Sequence, residues 1–250
     1  MSSQDSTSTS SALEKPAATS PGGAIPSDSE AALKAAADST LNEDQALALL
    51  KRDDLPPEVF ERLSKNGAVG KSRKVKLAMV GHPRTPRYVS LATLRHLFTF
   101  DLMRVALTSV VPGDVKMAAE EVLINRLESI SSGEKLSLAR RASGRVAGAL
   151  LTDKEPRVMQ AGLENPRMTE AFIVKAVVAP EASSAFVRKV CDHPKWSLRQ
   201  EIRVALLGNE NTPLESAQEF ARMIPLTTLK EVLEASRLPE KVKSCLLKMD

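Results

Sequence analysis

Three observations predict an all-α protein, a right-handed solenoid of about four three-helix units preceded by a helical portion. The first is a turn signature that recurs: Val80-Gly81-His82-Pro83-Arg84-Thr85-Pro86, then Leu163-Glu164-Asn165-Pro166-Arg167-Met168-Thr169-Glu170, then Leu207-Gly208-Asn209-Glu210-Asn211-Thr212-Pro213. Each reads as a helix that stops at the turn and another that starts after it, with Thr169 as a candidate cap. The second is composition: 42% hydrophobic but only 3% aromatic residues, so the core is aliphatic and suits close-packed helices. The third is the scarcity of strand signals, since no run of alternating β-branched and polar residues lies between hairpin turns.

At 250 residues the chain can bury a substantial core. Residues 1–28 hold Ser, Thr, Ala, Pro and Gly with almost no large apolar side chain, so they are expected to be a disordered tail. Residues 29–41 read as a short alanine-rich helix or linker. The helical-repeat domain is placed at 42–250. Asn42, Glu43 and Asp44 make a cap and acidic first turn for a helix carrying Leu47, Leu49 and Leu50. Pro56-Pro57 opens the next, with Val59, Phe60 and Leu63 on one face and Asn66-Gly67 as its stop. A third runs from Lys71 to Val80.

With His82, Asn125, Asn165 and Asn209 as equivalent anchors, the steps are 43, 40 and 44 residues. First helices are expected at 86–98, 132–142, 168–178 and 212–223. Second helices follow breaks such as Pro180 and Pro225. Third helices follow Pro112-Gly113-Asp114, Asp153 to Pro156, and His193-Pro194, and the last runs from Glu240 to Lys248. Val75, Ala118, Val158 and Ile202 stand seven residues before the anchors, and Val80, Leu123, Leu163 and Leu207 stand two before. Ala78, Ala161 and Ala205 stand four before, where Glu121 is the exception. These offsets form one buried stripe, and its alanines would let helices approach closely.

The string from Arg73 to Pro86 resembles the leucine-rich repeat variant unit and its HEAT/armadillo relatives, in which a Val-Arg pair and an alanine precede Asn-Pro-x-Thr-Pro. Ile202-Arg203-Val204-Ala205 with Asn209 to Pro213 is similar to about the same degree, and 154–178 in part. The resemblance covers roughly 42–250 and implies an ARM/HEAT-like superhelix that presents binding surfaces. The variant-repeat iron–sulfur cluster sits on an N-terminal cysteine-rich segment. No cysteine precedes Cys191 here, so no cofactor is implied.

Catalytic constellations do not stand out. His82 and His193 precede prolines at turns, where ring nitrogens bond backbone groups, and His96 sits beside Leu94, Leu97 and Phe98; all three read as structural. No ligand spacing surrounds them, so no metal site is expected. Gly144-Arg145-Val146-Ala147-Gly148 lacks a preceding strand, and Gly144 reads as a helix stop. Glu120-Glu121 and Asp53-Asp54 are neighbours in sequence only. Cys191 and Cys245 look like small buried hydrophobes. Trp196 reads as a packing staple between units, and the basophilic string Arg140-Arg141-Ala142-Ser143 as helix capping.

Charge is the informative feature. Residues 1–40 hold five acids against two lysines, which leaves 33 basic and 26 acidic side chains in the rest. From Arg62 to Phe100 there are nine lysines and arginines and no acid; Arg140, Arg141 and Arg145 form a second cluster. Arg73, Lys116, Arg157 and Arg199 fall eight to ten residues before their anchors, a basic strip in which Lys76 and Arg203 are included. The expected function is a non-enzymatic interaction module or scaffold for a protein partner. The alternative is a nucleic-acid-binding HEAT-like protein, against which stands the shortage of stacking groups beyond Tyr88 and Trp196. With no secretory signal and no apolar run long enough to span a bilayer, a cytoplasmic protein is the expectation.

Overall fold

The protein is described by a computed structural model over residues 29–248, so the tail expected at 1–28 lies outside the described residues. These residues form sixteen α-helices and one 3-10 turn, with no strand among them. The N-terminal portion is α1 (Ser29–Ala37), α2 (Glu43–Leu49), α3 (Pro57–Lys65) and α4 (Arg73–Gly81). The periodic part runs α5 (Arg87–Leu94), α6 (Thr99–Leu107), α7 (Gly113–Arg126), α8 (Ser132–Arg141), α9 (Gly144–Ala149) and α10 (Pro156–Leu163). It continues through α11 (Glu170–Val178), α12 (Ser184–Cys191), α13 (Gln200–Leu207), α14 (Leu214–Arg222), α15 (Leu226–Ala235) and α16 (Glu240–Leu247). The 3-10 turn Leu150–Thr152 extends α9. Three helices follow each anchor.

Local chemistry sets the starts. Asn42 accepts from the Gln45 amide while the Gln45 side chain accepts from the Asn42 amide, a reciprocal cap repeated by Ser131 and Glu134. Ser72, Ser143 and Ser183 cap α4, α9 and α12. Pro86, Pro112, Pro213, Pro225 and Pro239 immediately precede helices, where fixed φ and a missing N–H are tolerated. Thr169 occupies the cap position of α11 but makes no capping hydrogen bond. The helix expected at 86–98 breaks instead: α5 stops at Leu94 and α6 starts at Thr99.

Packing is sequential. Every extensive helix–helix contact joins elements adjacent in the chain or one helix further along, such as α1 with α3, α5 with α7 and α14 with α16. The core follows suit, as three successive clusters spanning Ala32 to Val89, Val80 to Ala161 and Ala147 to Leu246. Of the predicted stripe, Val75, Val80, Leu123, Val158, Leu163, Ile202 and Leu207 are buried, as are Ala161 and Ala205. The tightest approach lies elsewhere. Gly144 is the first residue of α9, not a stop, and a Cβ there would stand 2.4 Å from the Arg167 carbonyl oxygen. A methyl group on Gly162 would meet Leu151 at 3.0 Å.

The anchors have a physical job. Asn165, buried, donates from Nδ2 to the carbonyls of Ala139 (2.7 Å) and Ala142 (3.2 Å), at the end of α8, and accepts the Arg167 amide on Oδ1 (2.7 Å). Asn209 does the same for Val177, at the end of α11, and accepts the Asn211 amide. His82 Nδ1 accepts the Arg84 amide, which places the proton on Nε2, 2.9 Å from the Arg52 carbonyl beyond α2. Asn66 reaches the carbonyls of Ala36 and Asp38 at the end of α1. The last turn of a helix leaves carbonyls without intrahelical partners, and here the end of the helix two further on supplies the donors. Asn125 is not one of them. It lies exposed inside α7, and its neighbour Arg126 donates to the carbonyls of Arg95 and Leu97, just past the end of α5. Trp196 extends the rule, its buried indole N–H standing 2.9 Å from the Leu163 carbonyl at the end of α10.

Candidate functional site

The predicted strip residues all stand at or near the starts of third helices or of α4, but their side chains differ in what they touch. Arg73 opens α4 and binds Asp101 of α6 through Nε (2.7 Å) and Nη2 (2.9 Å), with Phe98 under its guanidinium. Asp101 is only 4% exposed, so this pair ties α4 to α6, and the carboxylate raises the Arg73 pKa. Arg203 is likewise engaged, donating to the Ser197 carbonyl and lying 5.9 Å from the Phe220 ring centre. Lys116 reaches the Ser109 carbonyl at 3.4 Å. Arg157 is 79% exposed, with Glu155 at 3.6 Å. The Arg199 and Lys76 side chains have no hydrogen bond or ion pair among the described residues.

Lys76 leads to a convergence of cations. It lines a cavity of about 580 Å3 between α3, α4 and α5, with Lys65 from the end of α3 and Lys71 from the turn before α4. Buried Met79 and Val89 with exposed Ala92 give an apolar floor; Tyr88, 57% exposed, and His96 stand at the rim. The one carboxylate is that of Glu61, which accepts the Tyr88 hydroxyl and lies 4.0 Å from Lys65. His96, read from the sequence as structural, is exposed in the turn after α5. Sequence reasoning placed Lys65 and Lys71 in the acid-free basic run but not in the strip, because they share no offset with it.

The second basic cluster is divided. Arg145 is held by Glu120 and Glu121, Arg141 lies over the Phe100 ring at 6.0 Å, and Arg140 lines a cavity of about 440 Å3 with Arg157 and Lys189. No group of three metal-ligating side chains occurs among the described residues. Burial pushes the Cys191 thiol up to about 11, which keeps it protonated at neutral pH. Burial lowers the His193 pKa, and its Nδ1 accepts the Lys195 amide at 3.2 Å. No helix of the described residues is long and apolar enough to cross a membrane. Comparison with protein-family models, with curated proteins and with solved structures finds no match for the chain.

Proposed function

We propose that the chain is a right-handed solenoid of the leucine-rich repeat variant and HEAT/armadillo kind, acting as a non-enzymatic module that holds a protein partner. The observation that carries this reading is the sequential packing: among the described residues, no extensive contact joins helices more than two apart in sequence. Such an array is quasi-one-dimensional and presents a long surface for its mass. The polar side chains at the helix ends are consumed in pinning neighbours, as with Asn165 and Asn209. Cations remain for a partner: Lys71, Lys76 and Arg199 have none among the described residues, and Arg157 is mostly exposed.

The test compares duplex DNA, RNA and polyglutamate binding at two ionic strengths for the wild type and the variant K116Q/R157Q/R199Q. Arg73 is kept because its removal would strand the buried Asp101. Cross-linking in the native host, with and without nuclease, is the companion measurement. A protein cross-link that survives nuclease supports the module. Salt-sensitive nucleic-acid binding lost in the variant, with cross-links that vanish after nuclease, replaces it with the nucleic-acid reading.

A further inference from the structure

We infer that the groove between α3, α4 and α5 binds a short acidic peptide segment carrying one large apolar side chain. The inference rests on the reading of the chain as a protein-binding module and names one contact of that module. Charge complementarity is the first argument. Three lysines, Lys65, Lys71 and Lys76, line the cavity, against the single acidic residue Glu61. Glu61 is already engaged by the Tyr88 hydroxyl and stands near Lys65, whereas Lys71 and Lys76 have no hydrogen bond or ion pair among the described residues. Two uncompensated cations at one opening favour a ligand that brings at least two anionic groups.

The floor supplies the second argument. Met79 and Val89 belong to the buried core, 1% and 5% exposed, and show their outer edges to the cavity beside Ala92. A phosphodiester backbone has no group that gains from such a floor, but a leucine or phenylalanine side chain does. Lysine stems would cover the flanks of that side chain while their ammonium groups stay at the rim. The cavity volume, about 580 Å3, falls in the range of sites that enclose a small ligand or a few side chains. Exposed Lys65, Lys71, Tyr88 and His96 leave it open at the surface, so an extended segment can pass through.

The turn that carries Lys71 is built for this position. A Cβ on Gly70 would stand 2.6 Å from the Asn66 carbonyl oxygen and 2.8 Å from that of Ser64, both backbone atoms. Only a residue without a side chain lets the chain fold this closely over the end of α3. The next residue, Lys71, is thereby held at the mouth of the groove. The same turn is tied down by Asn66, whose side chain accepts the Ala68 amide and reaches back to α1.

The experiment uses the full chain and fluorescence anisotropy. The probes are a labelled glutamate-rich peptide with one central leucine, the same peptide with that leucine replaced by serine, and a labelled DNA duplex. The variants are K71Q/K76Q, A92E, which sets a carboxylate on the exposed edge of the floor, and K230Q, an exposed lysine of α15, as the control outside the groove; circular dichroism checks that each is folded. The expected result is a loss of at least about tenfold in affinity for the leucine peptide in K71Q/K76Q and in A92E, and none in K230Q. The serine peptide should bind the wild type at least about tenfold more weakly than the leucine peptide. Equal binding of the two peptides, or equal binding by wild type and K71Q/K76Q, overturns the inference. So does DNA binding that K71Q/K76Q abolishes, which would assign the groove to nucleic acid. If K71Q/K76Q keeps the nuclease-resistant cross-link but loses nothing toward the peptides, the groove assignment fails and the module stands.

Discussion

Replacing Asn165 with alanine removes the donor that closes α8 and the acceptor that shapes the turn before α11. The asparagine is 2% exposed, and three backbone groups depend on it: the carbonyls of Ala139 and Ala142 and the amide of Arg167. A buried polar group left without its partner costs about 1–3 kcal/mol, and water admitted to the vacated space will recover part of that. Asn165→Ala should therefore destabilise the protein by about 3–5 kcal/mol. Urea unfolding followed by circular dichroism measures it, with the unfolding slope checked for loss of cooperativity. Asn125→Ala is the control, because the nominally equivalent residue is exposed and makes no side-chain hydrogen bond among the described residues. It should stay within about 0.5 kcal/mol of wild type. Asn165→Asp sharpens the test: it keeps the acceptor for Arg167 but sets a carboxylate against two carbonyls. Its folded-state pKa is raised, the folded state binds the extra proton, and its stability should increase as the pH falls through that value. Equal losses in Asn165→Ala and Asn125→Ala, or an Asn165→Asp variant weakest at low pH, would refute the capping account.

The remaining predictions follow from the same contacts. His193 has a lowered folded pKa, so its contribution is complete above about pH 6.5 and is lost as the pH falls through the folded value. His193→Asn keeps an acceptor for the Lys195 amide, and its melting temperature should therefore fall less between pH 7 and pH 5, about the imidazole range, than the wild type's; identical profiles would exclude His193 as the titrating group. Gly144→Ala should cost about 1–3 kcal/mol by thermal unfolding, since the added methyl meets a backbone carbonyl and the Phe172 ring; an unchanged melting temperature would mean that α9 and α11 pack less closely than they do here. Arg73→Gln should destabilise more than the double variant Arg73→Gln/Asp101→Asn, which removes the stranded charge as well; additive losses would show that the pair is not coupled.

The helices were legible because their signals are local. Asn42, Pro57 and Pro156 announce starts through groups within a few residues, and the stripe from Val75 to Leu207 follows from the helical period alone. The anchors were legible as repeats but not as contacts. Asn165 recurs because a donor at that turn meets the carbonyls left over two helices earlier, and any donor of adequate reach will serve. Arg126 is such a donor, one residue past the aligned Asn125, and its longer side chain spans to Arg95 and Leu97. A register set on residue identity therefore slips by one in that unit, while the capping geometry does not. The strip failed to separate its members for a related reason. An offset fixes a position along a helix, but whether the charge is free depends on a residue such as Asp101, 28 positions from Arg73, whose burial no local pattern reports. Lys65, Lys71 and Lys76 carry the opposite lesson. They come from a helix end, a turn and a helix interior, share no offset, and meet only because α3 and α4 pack across α5. What marked them in the sequence was the missing counter-charge, since a stretch with nine cations and no acid within it must find its anions elsewhere in the chain or outside it. Arg73 finds one inside, in Asp101; Lys71 and Lys76 find none among the described residues, which leaves their charge for the ligand proposed at the groove.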